Sequence, residues 1–479
     1  MSDLTAAPAV RLAIPAQIAS WPQAQLWRLS VDLYPALAAA SLPWSTTAVS
    51  VFMVLWLIVL LPTIRWPAFF EALRAPASYL PLAFFALALA GLLWTRESWP
   101  AGIQGILPVV KLLAVPLLLY HFERSERGHW VLLAFLAACA LLMGVSWVTY
   151  FADWKMQPGG MAGVPVRNYI DQSHEFALCL FVMAPLLLSL AAKGNRAWTL
   201  AFAAVMVGFY LDMRFVASSR TALVYFPILL ILFAVKYLNR RRAICFLLLA
   251  AAVECAVLLS SPYLRDRVVR TVEDYKVDRE TRAVRDANAA AATTTTTTTT
   301  TVATTTAATA TATTTATATS NGLRLAYWRV SLRAMSEAPV LGHGTGSTQQ
   351  LFRSEAEGKS GEWANIVRNP HNQTLYVAIQ WGVLGCLVLY AMWYFHLKLF
   401  LGTGFASWVG LVVVVQNFIS SLLNSHLFDF HEGWVYVLGV GVAGGMAARA
   451  RRPADSAQAR KSLRDPARGG SSGAAIAVQ

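Results

Sequence analysis

The chain has 479 residues, 57% hydrophobic and 13% charged, with a formal net charge of +14 and a positive mean hydropathy. That balance exceeds what a soluble domain needs for its core and excludes an ordinary water-soluble fold. The solvent for most of this sequence is lipid.

Apolar segments follow one another at roughly 29–43, 46–64, 77–94, 104–120, 129–151, 173–191, 197–213, 220–238, 242–260, 382–400, 404–424 and 432–448. All are predicted to be helices. A backbone in lipid must satisfy its own hydrogen bonds, and these runs are too long and too uniformly apolar for the alternating strands of an outer-membrane barrel. The expected fold class is therefore an all-α polytopic membrane protein with about twelve transmembrane helices. The first segment is interrupted by Asp32 and Pro35 and would also suit an interfacial helix. The expected division is an N-terminus at 1–28, nine helices over 29–260, a long loop over 261–371, three helices over 372–448 and a basic tail at 449–479.

Basic residues set the orientation, because Lys and Arg in short loops stay on the cytoplasmic side. One set of connections holds Arg11, Arg28, Arg65, Arg74, Arg124, Arg127, Lys193, Arg196, Lys236, Arg240 to Arg242, Lys398 and the tail from Arg449. The opposite short loops hold only Arg96, Lys155, Arg167, Arg214 and Arg220. This roughly fourfold asymmetry places both termini in the cytoplasm and the long loop outside. Topology and anionic headgroups account for the net charge, so no nucleic-acid partner is inferred. Residues 1–25 lack a continuous apolar core behind a basic start, so no cleavable signal peptide is expected. Cys139, Cys179, Cys245, Cys255 and Cys386 all lie in apolar segments, which suggests neither a disulfide framework nor a thiolate metal site.

Lys111 falls near the middle of the fourth apolar segment and Glu254 in the outer half of the ninth. Each is costly in hydrocarbon unless it faces protein, water or a partner, and a proton-coupled transporter would use them. Transport is therefore the competing functional class, with a structural scaffold as the bland one.

The long loop opens with charges of both signs over 263–286, suited to a solvated or headgroup-skimming helix. A run of Ala and Thr over 287–319 cannot bury a core and reads as a tether. Beyond it, 323–339 has helical periodicity ended by Pro339, a glycine turn leads to a second helix, and NPHNQ around His371 returns the chain to the membrane. In the last outer turn, Asp429, His431 and Glu432, with His426 nearby, have metal-ligand chemistry but read as an interfacial turn.

Four features in order resemble the O-antigen ligase and polymerase superfamily, over roughly 210–390. They are SSRT at Ser218–Thr221 opening a helix, Arg324 with Trp328 four residues on, P-x-x-G-x-G-x-G at Pro339–Gly346, and His371-Asn372 with Gly382 and Gly385 downstream. The resemblance implies a GT-C-like glycosyltransferase of the bacterial inner membrane with its active site facing the periplasm. The reaction implied is transfer of O-antigen polysaccharide from undecaprenyl pyrophosphate to a sugar hydroxyl of lipid A–core. The partners implied are the lipid-linked donor, the lipid A–core acceptor and the bilayer. O-antigen polymerase and protein O-oligosaccharyltransferase are the alternatives within the superfamily.

The residues make physical sense of that reaction. A lipid pyrophosphate arrives with negative charge and gains more as the glycosidic bond breaks, so its site needs fixed cations. Arg220 and Arg324 are the expected pyrophosphate ligands, with Arg214 and Arg265 at similar depth. An acceptor hydroxyl is a poor nucleophile, and His371 is the expected base. Asn372 is expected to orient the loop and Trp328 to lend an aromatic surface. No Asp-x-Asp or Glu-Glu pair lies in the shorter outer loops, so no metal and no cofactor are expected in the chemistry. A single displacement would invert the anomeric centre, because no outer carboxylate is obviously placed to hold the sugar covalently.

Overall fold

The computed structural model describes residues 24–166, 168–260, 320–356 and 369–451, together with positions 269 and 276. Arg265, the tether over 287–319 and the tail beyond Arg451 lie outside these described residues. Within them the regular secondary structure is helical, with no strand.

Helices run in chain order as α1 (Ala24–Ser41), α2 (Thr46–Leu60), α3 (Trp66–Ala72), α4 (Pro76–Ala90), α5 (Trp99–Val110), α6 (Ala114–Phe122), α7 (Gly128–Phe151) and α8 (Tyr169–Ala192). They continue as α9 (Arg196–Leu211), α10 (Arg220–Tyr237), α11 (Arg240–Ser260), α12 (Ser320–Glu337), α13 (Thr348–Ala356), α14 (Gln373–Leu399), α15 (Phe405–Ser421) and α16 (Phe430–Arg451). A helix lies over each of the twelve apolar segments. Among the described residues, however, nine helices are long and apolar enough to cross a membrane, and α15 is a shorter apolar helix.

The first segment belongs to the bundle. α1 packs on α2 and α7, and its Asp32 is buried, accepting bonds from His121 Nε2 at 2.8 Å, Ser125 Oγ at 2.6 Å and Arg127 Nη1 at 3.1 Å. A carboxylate that interrupts an apolar run is thus satisfied by three donors from around the next elements.

Between helices in lipid there is little hydrophobic driving force, and close van der Waals packing takes its place. α16 supplies a stripe of small residues: a side chain at Gly441, Gly444 or Gly445 would collide with Leu118, Leu119 or Phe122, so α6 lies directly on it. By contrast α11 keeps Leu248, Leu249 and Leu259 exposed and packs on α10, as a lipid-facing helix does.

The loop helix α12 is joined to α14 by an exchange of backbone bonds. Gly382 has φ +58° and breaks α14, so Val383 and Leu384 lose their helical acceptors, Ile379 and Gln380. The N–H groups of Val383 and Leu384 instead donate to Pro339 O at 2.8 Å and Val340 O at 3.3 Å. The carbonyls of Ile379 and Gln380 accept from His343 N at 2.8 Å and Gly344 N at 2.9 Å. These four groups freed by the kink are satisfied by the Pro339–Gly346 turn. Thr345 extends the splice to α4, its amide donating to Gly91 O at 3.1 Å and its hydroxyl accepting from Trp381 Nε1 at 2.8 Å. The glycine motif thereby fixes where α12 stands over the start of α14.

Candidate functional site

The beginnings of α8, α10, α14 and α16 meet the end of α15 at one end of the bundle, and α12 crosses this junction. Helix N-termini carry partial positive charge; Asp171, Glu175, Asp429 and Glu432 stand at the α8 and α16 ends, so the ends that favour an anion are those of α10 and α14.

The His371 side chain is held from two sides. Its backbone is left-handed, φ +54°, a conformation that costs a non-glycine residue about 1 kcal/mol or more and persists where surroundings enforce it. Its N–H donates to Asn369 Oδ1 at 2.8 Å, and the same oxygen accepts from Ser425 Oγ at 2.7 Å. The ring Nδ1–H donates to Asn424 Oδ1 at 2.9 Å. Because an amide oxygen only accepts, this bond leaves Nε2 as the imidazole's lone pair. Burial lowers the His371 pKa below the ordinary value, the Asn424 bond works against that shift, and the Arg324 cation reinforces it. The ring is therefore neutral and able to accept a proton near neutral pH.

Around it, Asn372 caps α14, taking a bond from Leu375 N at 3.0 Å, and donates from Nδ2 to Leu422 O at 2.9 Å. Trp328 Nε1 donates to Pro370 O at 3.1 Å, and the Tyr327 ring lies 6.4 Å from the His371 ring. Arg324 Nη1 reaches Leu423 O at 3.5 Å. The turn Leu422–Ser425 after α15 is the common anchor for Asn369, His371, Asn372 and Arg324.

Arg324 and Arg220 are close enough to repel. Burial lowers the Arg324 pKa, Arg220 lowers it further, and Tyr169 opposes both. Two half-buried guanidinium groups brought together at a junction of helix N-termini raise the potential for a multiply charged anion. Arg220 opens α10, with Ser219 and Thr221 hydroxyls 2.7 Å apart beside it.

The structure gives Arg214 a different setting. It lies in a π-helical turn, Asp212–Val216, at the end of α9, and is 2% exposed. Its Nη2 pairs with Glu254 Oε1 at 2.7 Å, and its guanidinium lies over the rings of Tyr210 and Phe226. Asp212 in the same turn accepts from Ser146 Oγ at 2.5 Å and Gln172 Nε2 at 2.9 Å. Lys111, from the fourth apolar segment, donates to the carbonyls of Phe428 (3.0 Å) and Asp429. Lys111 and Glu254 each have a separate structural partner.

The polar residues of the last turn also regroup. Lys111 holds the Asp429 carbonyl, and His431 Nδ1 sits 3.7 Å from Glu175 Oε1. The group with metal-ligand geometry is instead His174, His426 and Glu432, with ligand atoms within 4.8 Å of one another. A polar cavity of about 260 Å³ opens beside it, lined in part by Asp171, Asn424, Asp429 and Glu432.

Residues 205–390 match the family described as O-Antigen ligase. That stretch, less than half of the chain, is similar to the O-antigen ligase family. It contains Arg214, Arg220, Arg324, Trp328, His371 and Asn372, and ends before Asn424. The superfamily's members are glycosyltransferase-type enzymes, which implies lipid-linked polysaccharide substrates and a membrane setting. Comparison with curated proteins gives no match. Sequence reasoning missed Asn424, Asn369 and Ser425. A polar residue ending an apolar helix was the only local signal, because their roles exist only where two distant turns meet.

Proposed function

We propose that this protein transfers an O-antigen polysaccharide from undecaprenyl pyrophosphate to a sugar hydroxyl of lipid A–core. The observation that carries this reading is the Asn424-held His371, with its Nε2 lone pair available, Arg324 in electrostatic reach of it and Arg220 in reach of Arg324. His371 Nε2 removes the acceptor's hydroxyl proton as the oxygen attacks the anomeric carbon. The new C–O bond forms as the bond from that carbon to the pyrophosphate breaks, and the electron pair leaves with undecaprenyl pyrophosphate. Arg220 and Arg324 bind the departing diphosphate, assisted by the helix N-termini. A single in-line displacement inverts the anomeric centre.

Arg214 is assigned a supporting part, since its pairing with Glu254 spends one of its donors inside the protein. The guanidinium pair supplies the fixed positive charge, so no divalent ion is assigned to the pyrophosphate. In this reading the protein lies in the bacterial inner membrane with both termini cytoplasmic and His371 facing the periplasm.

The test is reconstitution with undecaprenyl-pyrophosphate glycan and lipid A–core, with and without chelator. Product on lipid A–core in both conditions supports the ligase. Extension of the lipid-linked glycan instead assigns a polymerase, and solute flux without bond formation assigns a transporter. Labelling of a cysteine at position 371 from the cytoplasmic side would overturn the orientation.

A further inference from the structure

We propose that His174, His426 and Glu432 form a buried binding site for one divalent transition-metal ion of the zinc class, separate from the pyrophosphate chemistry. Two chain segments far apart in sequence supply it: the second turn of α8 gives His174, and the turn leading into α16 with that helix's first turn gives His426 and Glu432. One ligand atom from each lies within 4.8 Å of the others, and His426 Nε2 is 3.8 Å from Glu432 Oε1. Bonds of about 2.0–2.1 Å to a common tetrahedral zinc set its ligand atoms roughly 3.3 Å apart, so the His426–Glu432 pair would close by about half an ångström and the widest separation by about 1.5 Å, within reach of side-chain rotation.

The second observation is the state of the imidazoles. His426 is 0% exposed and His174 2%. Neither ring nitrogen of His426 has a hydrogen-bond partner, and neither does Nδ1 of His174. Buried polar groups are ordinarily paired, and orphaned imidazole nitrogens aimed at a carboxylate are what a cation site offers. Two imidazoles and one carboxylate suit zinc rather than the all-oxygen preference of magnesium or calcium.

Charge around the site also fits. Asp171, Glu175 and Asp429 lie near the triad, with Asp171 hydrogen-bonded to Glu432 and Glu175 beside His431. The polar cavity lined by Asp171, Asp429 and Glu432 provides an acidic entry path. A metal here would tie α8 to the turn that carries Asn424, two residues before His426, and so act on His371 only through the placement of Asn424. The ion would stabilise this end of the bundle as a cross-link between helices.

Metal content of the full chain, expressed with added zinc and purified in detergent, tests this without any substrate. Mass spectrometry should find about one zinc per chain, and cobalt-loaded protein should show the visible absorption of a low-symmetry four- or five-coordinate site. The double variant H174A/H426A and the single variant E432Q should each lose those cobalt bands. Retained monodispersity and helical content would show that the variants fold. Substoichiometric zinc in the wild-type chain, below about a tenth of an equivalent, or zinc retained undiminished in the double variant, overturns the site. Failure of glycosyl transfer would leave this measurement unaffected, and the reverse is equally true.

Discussion

Asn424, in the turn after α15, fixes which nitrogen of His371 carries the proton, through a 2.9 Å bond from Nδ1–H to Oδ1. The two residues lie 53 positions apart, and the bond joins the turn before α14 to the turn before α16. A base for a sugar hydroxyl needs a lone pair directed at substrate, and this pairing assigns that lone pair to Nε2.

Replacing His371 with Ala should therefore reduce turnover by roughly 10²–10⁴-fold while helical content and detergent-solubilised monodispersity stay normal. Asn424→Ala should give a smaller loss, about 10-fold or more, because the tautomer is no longer selected. Single-turnover kinetics on both variants decide the order, and an Asn424→Ala protein with wild-type turnover would remove the positioning role.

The pH profile follows from the lowered His371 pKa. Neutral imidazole is the active form, so activity falls as pH drops through that pKa, and the acid limb of kcat/KM should inflect below about 6.5. Asn424→Asp places a carboxylate against Nδ1–H, favours imidazolium and should move the limb upward by about one pH unit. A limb that does not move would show that another group controls it.

Arg220→Lys and Arg324→Lys keep the charge but lose the planar fork. If both guanidiniums meet a diphosphate, each variant should lose about 10-fold or more in kcat/KM, and each Ala variant about 10²–10³-fold in kcat. Binding of a lipid pyrophosphate, followed by tryptophan fluorescence, should weaken in parallel.

The Arg214–Glu254 pair calls for a stability measurement. Glu254→Gln leaves a 2%-exposed guanidinium without its counter-charge, and removing one partner of a buried pair costs about 3 kcal/mol. A lowered thermal midpoint is expected with residual activity in the folded fraction. Unchanged stability with lost activity would give Arg214 a direct role on substrate.

Gly382→Ala tests the splice between α12 and α14. At φ +58° a Cβ is strained, and it would also collide with the Val340 backbone. Loss of more than about 1 kcal/mol is expected, with activity falling together with protease resistance at the Pro339–Gly346 turn. An active, fully stable variant would show that α12 does not depend on the kink.

The helices were legible because their cause is local. Long apolar runs must form helices in lipid whatever their neighbours do, and a helix does lie over each such run. Span count was less legible, since length and hydropathy together admit nine helices among the described residues. The residues Arg220, Arg324 and His371 were recognised from their motifs, but chemical type alone did not separate Arg214, whose counter-charge sits 40 positions away on α11.

By itself the sequence determined a lipid-solvated helical chain, a resemblance to the O-antigen ligase family and the positions of the arginines and histidine in its motifs. Tertiary structure decided which of them face one another: His371 with Asn424, Arg214 with Glu254, Lys111 with the Phe428 and Asp429 carbonyls, and His174 with His426 and Glu432. The physical reason is range. Hydropathy and backbone satisfaction act within a single helix, whereas hydrogen bonds and ion pairs reach only a few ångströms, and so depend on which helices the packing brings together.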